Sequence, residues 1–268
     1  MARLAAAVAA ADEAPFEQAI ALIRPFIEES GWFDRLLADE VARMAANLLH
    51  LPAMRASRKG AARHLVLART ERIWITATII DPGEPLPARI HFSGRMLLCR
   101  GLSGDVEGEL YRLEQGRAVS AGRRCWRDGA IIVLDERREA LCLDASDRPL
   151  SFLRAQLAPP GPVAARIHDR ASGAPIATAQ ADESHARALM LLSLLRLQER
   201  RDAVPAFAAA LDAPLPEQRW AVMREYLALD TAAALSALRL MARDEPDAPV
   251  RALAARTLAQ IGAAPCPA

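Results

Sequence analysis

A chain of 268 residues is long enough to bury one large core or two moderate ones, and its 34 basic and 33 acidic side chains nearly cancel. That balance excludes a global field drawing the protein to nucleic acid or to an anionic membrane, so any partner is bound by a local patch. No apolar run approaches the roughly 20 residues of a membrane span.

Lys59 is the single lysine; the arginine and alanine excess fits GC-rich coding and points to no chemistry. The cysteines Cys99, Cys125, Cys142 and Cys266 form no CxxC pair and no zinc spacing. Free thiols in a reducing, cytoplasmic compartment are expected. The opening Met1–Ala14 has one arginine, an alanine-rich run and acidic residues close behind, a poor match to an export signal.

From Phe16 to Leu51 the apolar residues Phe16, Ile20, Ile23 and Ile27, then Trp32, Leu36, Leu37, Val41, Met44 and Leu48, recur at three- and four-residue steps. That period predicts helix, interrupted near Ser30-Gly31, with Pro25 kinking the first helix or starting a second. The basic stretch Arg55–Arg63 has few apolar residues and reads as a solvated linker.

The period then changes. Arg72–Ile80, Arg95–Leu102, Val106–Leu113, Gly129–Asp135, Glu139–Ala145 and Leu150–Leu157 are short, often β-branched runs punctuated by Pro82-Gly83, Ser103-Gly104 and Ser146-Asp147. Such spacing predicts an antiparallel barrel or sandwich. A further hairpin is expected over Val163–Gln180, turning at Ala171-Ser172-Gly173.

After Ala181 five helices are expected, and the last four form two matching pairs at a period of about 31 or 32 residues, Phe207 answering Leu238 and Trp220 falling near Ala252. Trp220 and Tyr226 are candidate contact residues or core. Three parts follow: helices over 1–60, a β region over 61–180 and a helical repeat over 181–268.

The segments Ala203–Leu229 and Asp244–Gly262, with a proline-marked first helix followed by "APVRALAARTLAQIG", resemble HEAT-like repeats over about 183–262. The resemblance implies a protein partner bound through the C-terminal helices; the alternative is that these helices cap the β region.

Pro82-Gly83, Pro87, Arg89-Ile90-His91, Gly94, Gly104 and the strand ending Glu107-Gly108-Glu109-Leu110-Tyr111 resemble the first motif of cysteine-dioxygenase-like cupins. Asp128-Gly129, the strand Ala130–Asp135, Ala140 and Ser146–Pro149 are similar to the second. The resemblance covers Arg63–Leu157 and implies an α+β chain: N-terminal helices, an antiparallel cupin-type β-barrel and C-terminal HEAT-like helices.

In that family the positions of Arg89, His91 and Ala140 hold the metal. Residues two apart on a strand share a face, so Arg89 and His91 point the same way. Arginine stays protonated and alanine offers no donor, which leaves His91 alone. No cofactor is expected. The alternative is iron at a rearranged site around His91, drawing on Glu139, Cys142, Cys99, Glu107 or Glu109.

An interior Arg89 needs a partner, either Glu107 or Glu109 or an anionic ligand such as a carboxylate, unless it reaches the barrel mouth. The expected ligand-binding set is Arg89, His91, Glu107, Glu109 and Tyr111. His50, His64, His168 and His185 are scattered without ligand spacing, and Asp135–Glu139 reads as a solvated loop. The reading is a non-catalytic binding or scaffold protein, with no role for nucleic acid or membrane. Its alternatives are a cupin oxygenase related to thiol dioxygenases and a sensor of an anionic small molecule.

Overall fold

The computed structural model describes residues 1–52, 54–83, 87–180 and 183–263. The chain divides into two compact units, Met1–Ala181 and Asp182–Ala268. It is an α+β protein, with N-terminal helices, antiparallel sheets and C-terminal helices.

The first unit opens with α1 (Ala2–Glu13), α2 (Phe16–Glu28) and α3 (Gly31–Ala46). Alanine carries the helical propensity of α1, while Leu4, Val8 and Ala11, spaced four and three apart, give it a buried stripe. Pro25 falls in the last turn of α2, which continues through it to Glu28. The indole of Trp32 donates to the Phe26 carbonyl at 2.8 Å and ties α3 to α2. Helix was expected as far as Leu51, but α3 stops at Ala46: the Asn47 side chain accepts from the Leu49 amide at 3.0 Å, a local turn that competes with helix.

Among the described residues twelve strands follow: β1 (Arg55–Lys59), β2 (Ala62–Arg69), β3 (Ile73–Ile80), β4 (Arg89–Phe92), β5 (Met96–Ser103) and β6 (Val106–Glu114), then β7 (Arg117–Trp126), β8 (Ile131–Asp135), β9 (Glu139–Leu143), β10 (Leu150–Leu157), β11 (Ala164–Asp169) and β12 (Pro175–Gln180). The expected linker at Arg55–Arg63 is instead β1 and the start of β2, a hairpin turned by Gly60 at φ +60°. Its arginines are tolerated because β1 is an edge strand.

A six-stranded sheet runs β1-β2-β3-β10-β5-β8, and three-stranded sheets run β12-β11-β4 and β7-β6-β9. Two-residue alternation divides β3, β5 and β10 between two cores. Ile73, Ile75, Leu98, Leu153, Ala155 and Leu157 face the N-terminal helices and pack on Leu4, Val8, Ile20, Ile23 and Ile27. The N-terminal helices, expected as a part of their own, therefore share a core and a unit with the β region. Leu97, Cys99, Phe152 and Leu150 face the other way, onto Val106, Leu110, Ile132 and Leu134.

The expected barrel is not a closed hydrogen-bonded ring. Among the described residues the ladders stop at three sheets, because β4 is four residues long and pairs with β11 but not with β9. A tight turn, with the Arg138 amide donating to the Asp135 carbonyl at 2.9 Å, carries the chain from β8 in the large sheet to β9 in a small one.

The second unit contains α4 (Glu183–Leu197), α5 (Val204–Ala210), α6 (Pro216–Leu229), α7 (Thr231–Asp244) and α8 (Ala248–Ala263). Phe207 and Leu238 are both fully buried. Arg219 donates to the carbonyls of Ala213 and Pro214, and Arg251 to those of Glu245 and Pro246, so the same clamp closes α5–α6 and α7–α8. Tyr226 is core, its hydroxyl donating to the Ala233 carbonyl at 3.2 Å, whereas Trp220 is half-buried.

Candidate functional site

β4 has two unlike faces. Ile90 and Phe92 are buried at 0 % and 1 % exposure in a cluster with Tyr111, Ala118, Ala140 and Cys142. Arg89 and His91 take the opposite face, are exposed, and line an open groove of about 380 Å³. Ile80, Leu141, Leu143 and Leu150 make its apolar wall, and Arg148 adds a second guanidinium.

The charges of this groove do not cancel. Asp81 accepts from Arg63 at 2.5 Å and has Arg58 at 3.9 Å, while Asp144 is held by Arg123. Arg89 and Arg148 have no ion-pair partner among the described residues. The expectation of a buried Arg89 paired to Glu107 or Glu109 is corrected: Arg89 reaches solvent, and both glutamates are engaged elsewhere.

Glu107 is exposed and lies 3.6 Å from Arg123. Glu109 and Tyr111 share the face of β6 opposite to Val106, Gly108 and Leu110, and there they meet Arg170. The Tyr111 hydroxyl donates to Glu109 Oε2 at 2.7 Å, Ser120 Oγ donates to Oε1 at 2.7 Å, and Arg170 reaches both the tyrosine oxygen, at 3.1 Å, and the carboxylate, at 3.3 Å. The Ser120 and Tyr111 hydrogen bonds hold the Glu109 carboxyl below its ordinary range, against a smaller opposing effect of burial. Burial and the bond to Glu109 push the Tyr111 phenol up.

Four of the five residues expected as one ligand set therefore fall into two places, and Glu107 lies apart from both. Arg170 and Ser120 were not singled out from sequence. Arg170 stands just before the Ala171-Ser172-Gly173 turn that the pattern did show, but nothing in that pattern tells which sheet it packs against. A carboxylate with three donors is a poor base, so the Glu109 network is a tie between β6, β7 and the end of β11 rather than a proton-transfer site.

The residues present do not fit an iron site. Arg89 presents a guanidinium, which has hydrogen-bond donors and no acceptor to offer a metal, and Ala140 presents a methyl group at 1 % exposure. Of the donors considered for a rearranged site, Glu139 is bonded to Arg112 at 3.2 Å, Glu107 and Glu109 are held as above, and burial pushes the Cys99 thiol up to about 12 and the Cys142 thiol in the same direction. Among the described residues no three His, Cys, Asp or Glu side chains converge as metal ligands. Cys266 lies outside the described residues. No helix among them is long and apolar enough to cross a membrane.

No protein-family model matches the chain, and no curated protein matches it. Solved structures similar to part of it include an RmlC-like cupin protein from Ralstonia eutropha JMP134, at 11 % identity over 50 % of this chain and 78 % of that one, with a TM-score of 0.33. Another is an RmlC-like cupin family protein with a double-stranded β-helix fold from Methanocaldococcus jannaschii, at 17 % identity over 42 % of this chain and 94 % of that one, with a TM-score of 0.30. A third is ectoine synthase from P. lautus, at 15 % identity over 39 % of this chain and 69 % of that one, with a TM-score of 0.29. No activity is carried over from any of them.

Proposed function

We propose that the protein is a non-catalytic binding protein whose cupin-like β unit takes a carboxylate-bearing small molecule in the groove beside β4. The observation that carries this reading is Arg89, an exposed guanidinium without an ion-pair partner among the described residues, set with Arg148 against Ile80, Leu141 and Leu143. A guanidinium fork binds a carboxylate through two parallel hydrogen bonds, and an apolar wall accepts the rest of the molecule. Asp81 and Asp144 already accept from arginines, so they do not compete for Arg89.

The test is thermal unfolding of the full chain against a panel of mono-, di- and tricarboxylic acids, among them glutamate, succinate and citrate. A ligand that binds the folded state alone raises stability by about 2.7 kcal/mol at a hundred times its Kd. The shift is expected for wild type and lost in Arg89→Ala and Arg148→Ala. A panel without any shift, or a shift that survives both substitutions, rejects the reading. Near-stoichiometric transition metal in purified wild type, lost in His91→Ala, replaces it with an oxygenase.

A further inference from the structure

Beside the face it buries, α6 has a flank that packs only partly on the core of its own unit. Val222, Met223, Tyr226 and Leu229 are buried, whereas on the flank Trp220 and Leu227 are half-buried against the edge of that core and Arg224 and Ala228 are exposed. With Arg196 of α4 and Thr257 and Ile261 of α8 they line an open groove of about 670 Å³.

The electrostatics of the groove are one-sided. Its one carboxylate among the described lining residues, Glu225, accepts from Arg196 Nε at 2.7 Å, which leaves that pair neutral. Arg224 is exposed and makes no hydrogen bond or ion pair among the described residues, and neither does the indole N–H of Trp220. Thr231 donates back to the Leu227 carbonyl at 2.8 Å. What remains is an unneutralised guanidinium and an unused indole donor, four residues apart on one helix, over a floor of Trp220, Leu227 and Ile261.

We propose that this groove binds an acidic peptide segment of a partner protein, Arg224 taking an Asp or Glu carboxylate and Trp220 with Ile261 taking a neighbouring apolar side chain. Arginine and tryptophan are the residue types that dominate binding energy at protein interfaces, and a guanidinium gains most when it meets a carboxylate at a partly desolvated position. A nucleic acid is disfavoured by the same count of charges. A single unpaired cation among the described lining residues neutralises too few phosphates for affinity at physiological salt. The inference is independent of the β4 groove, which lies in the other unit.

The test is selection of a displayed random dodecapeptide library on the full-length protein, with counter-selection on Arg224→Glu. Arg224 is exposed and unbonded, so its substitution leaves the melting temperature unchanged and reports binding alone. The expected outcome is a family of peptides with Asp or Glu beside an aromatic or aliphatic residue. Their synthetic forms lose at least about tenfold in affinity on Arg224→Ala, the size of one charge-assisted pair. Trp220→Phe, which keeps an aromatic ring of smaller area and removes the donor, weakens binding less.

Failure to enrich any peptide, enrichment without an acidic excess, or binding indifferent to Arg224→Glu overturns the proposal. Salt-sensitive binding of a single-stranded 20-mer oligonucleotide, longer than the about 4–16 nucleotides of a single-strand site, lost in Arg224→Glu where no peptide is enriched, also overturns it and assigns the groove to phosphate.

Discussion

The most demanding prediction concerns Arg219 and Glu245. Glu245 has a side chain 4 % exposed and accepts from two nitrogens of Arg219, at 2.5 and 2.9 Å, while Arg219 itself is 20 % exposed. Breaking a buried pair from one side costs about 3–5 kcal/mol, because the remaining charge stays desolvated. With Arg219 partly solvated, the lower end applies, so Arg219→Met is expected to cost about 3 kcal/mol. Glu245→Gln, which leaves a neutral group, costs less, and the double variant recovers part of the loss. The assay is hydrogen exchange by mass spectrometry on peptides from α6 to α8, where the loss appears as roughly hundredfold faster exchange in Arg219→Met.

The pH dependence supplies the sign. The Arg219 hydrogen bond holds the Glu245 carboxyl below its ordinary range, outweighing burial, which acts in the opposite direction. A depressed carboxyl stabilises the fold fully above its unfolded pKa, about 4.3 for glutamate, and the contribution is lost as pH falls through the folded value. The gap between wild type and Arg219→Met is therefore wide at neutral pH and narrows in acid. A coupling below about 0.5 kcal/mol in the double-mutant cycle, or a gap that does not narrow, refutes the reasoning and puts the pair among ordinary surface bridges.

Three further outcomes follow from the first unit. Thiol labelling of the native protein at mildly alkaline pH, mapped by peptide mass, modifies exposed Cys125 and spares Cys99, whose thiol burial pushes up to about 12; Cys99 reacts only on unfolding. Gly173 sits at φ +68°, and a Cβ there would run into the Ala118 carbonyl, so Gly173→Ala is expected to lower the urea midpoint by the equivalent of about 2 kcal/mol or more. Tyr111→Phe removes a donor to Glu109 and an acceptor for Arg170; a carboxyl NMR titration is expected to show Glu109 rising toward its ordinary range, and an unmoved titration contradicts the network.

How much of the fold was legible depends on how each element meets water. β3, β5, β6 and β8 to β10 could be read directly, since β-branched runs bounded by turn formers bury at least one face. β7, Arg117–Trp126, escaped because most of its residues are exposed at a sheet edge, so period-2 alternation never develops. β2 carries a register shift between Val66 and Ala68 that breaks its alternation. α1 falls within the helices expected over 1–60, but its bounds could not be read, because alanine favours helix and draws no hydrophobic stripe, and Leu4 and Val8 alone are too few to show one.

The site was legible within strands and illegible between them. That Arg89 and His91 share a face follows from their spacing, as does the sharing of a face by Glu107, Glu109 and Tyr111. Whether those two faces are the same one depends on how β4 lies against β6 and β9, and motif order carries no such information. It is Ile90 and Phe92 that join Tyr111 and Cys142 in one cluster, so the arginine and the glutamates point apart. The chemical consequence is a redistribution of partners. Had Glu109 faced Arg89, the pair would have neutralised both and left the groove without a free charge. Instead Arg170, arriving with the β11–β12 hairpin, satisfies Glu109, and Arg89 keeps its guanidinium available to a ligand on the other side of the sheet.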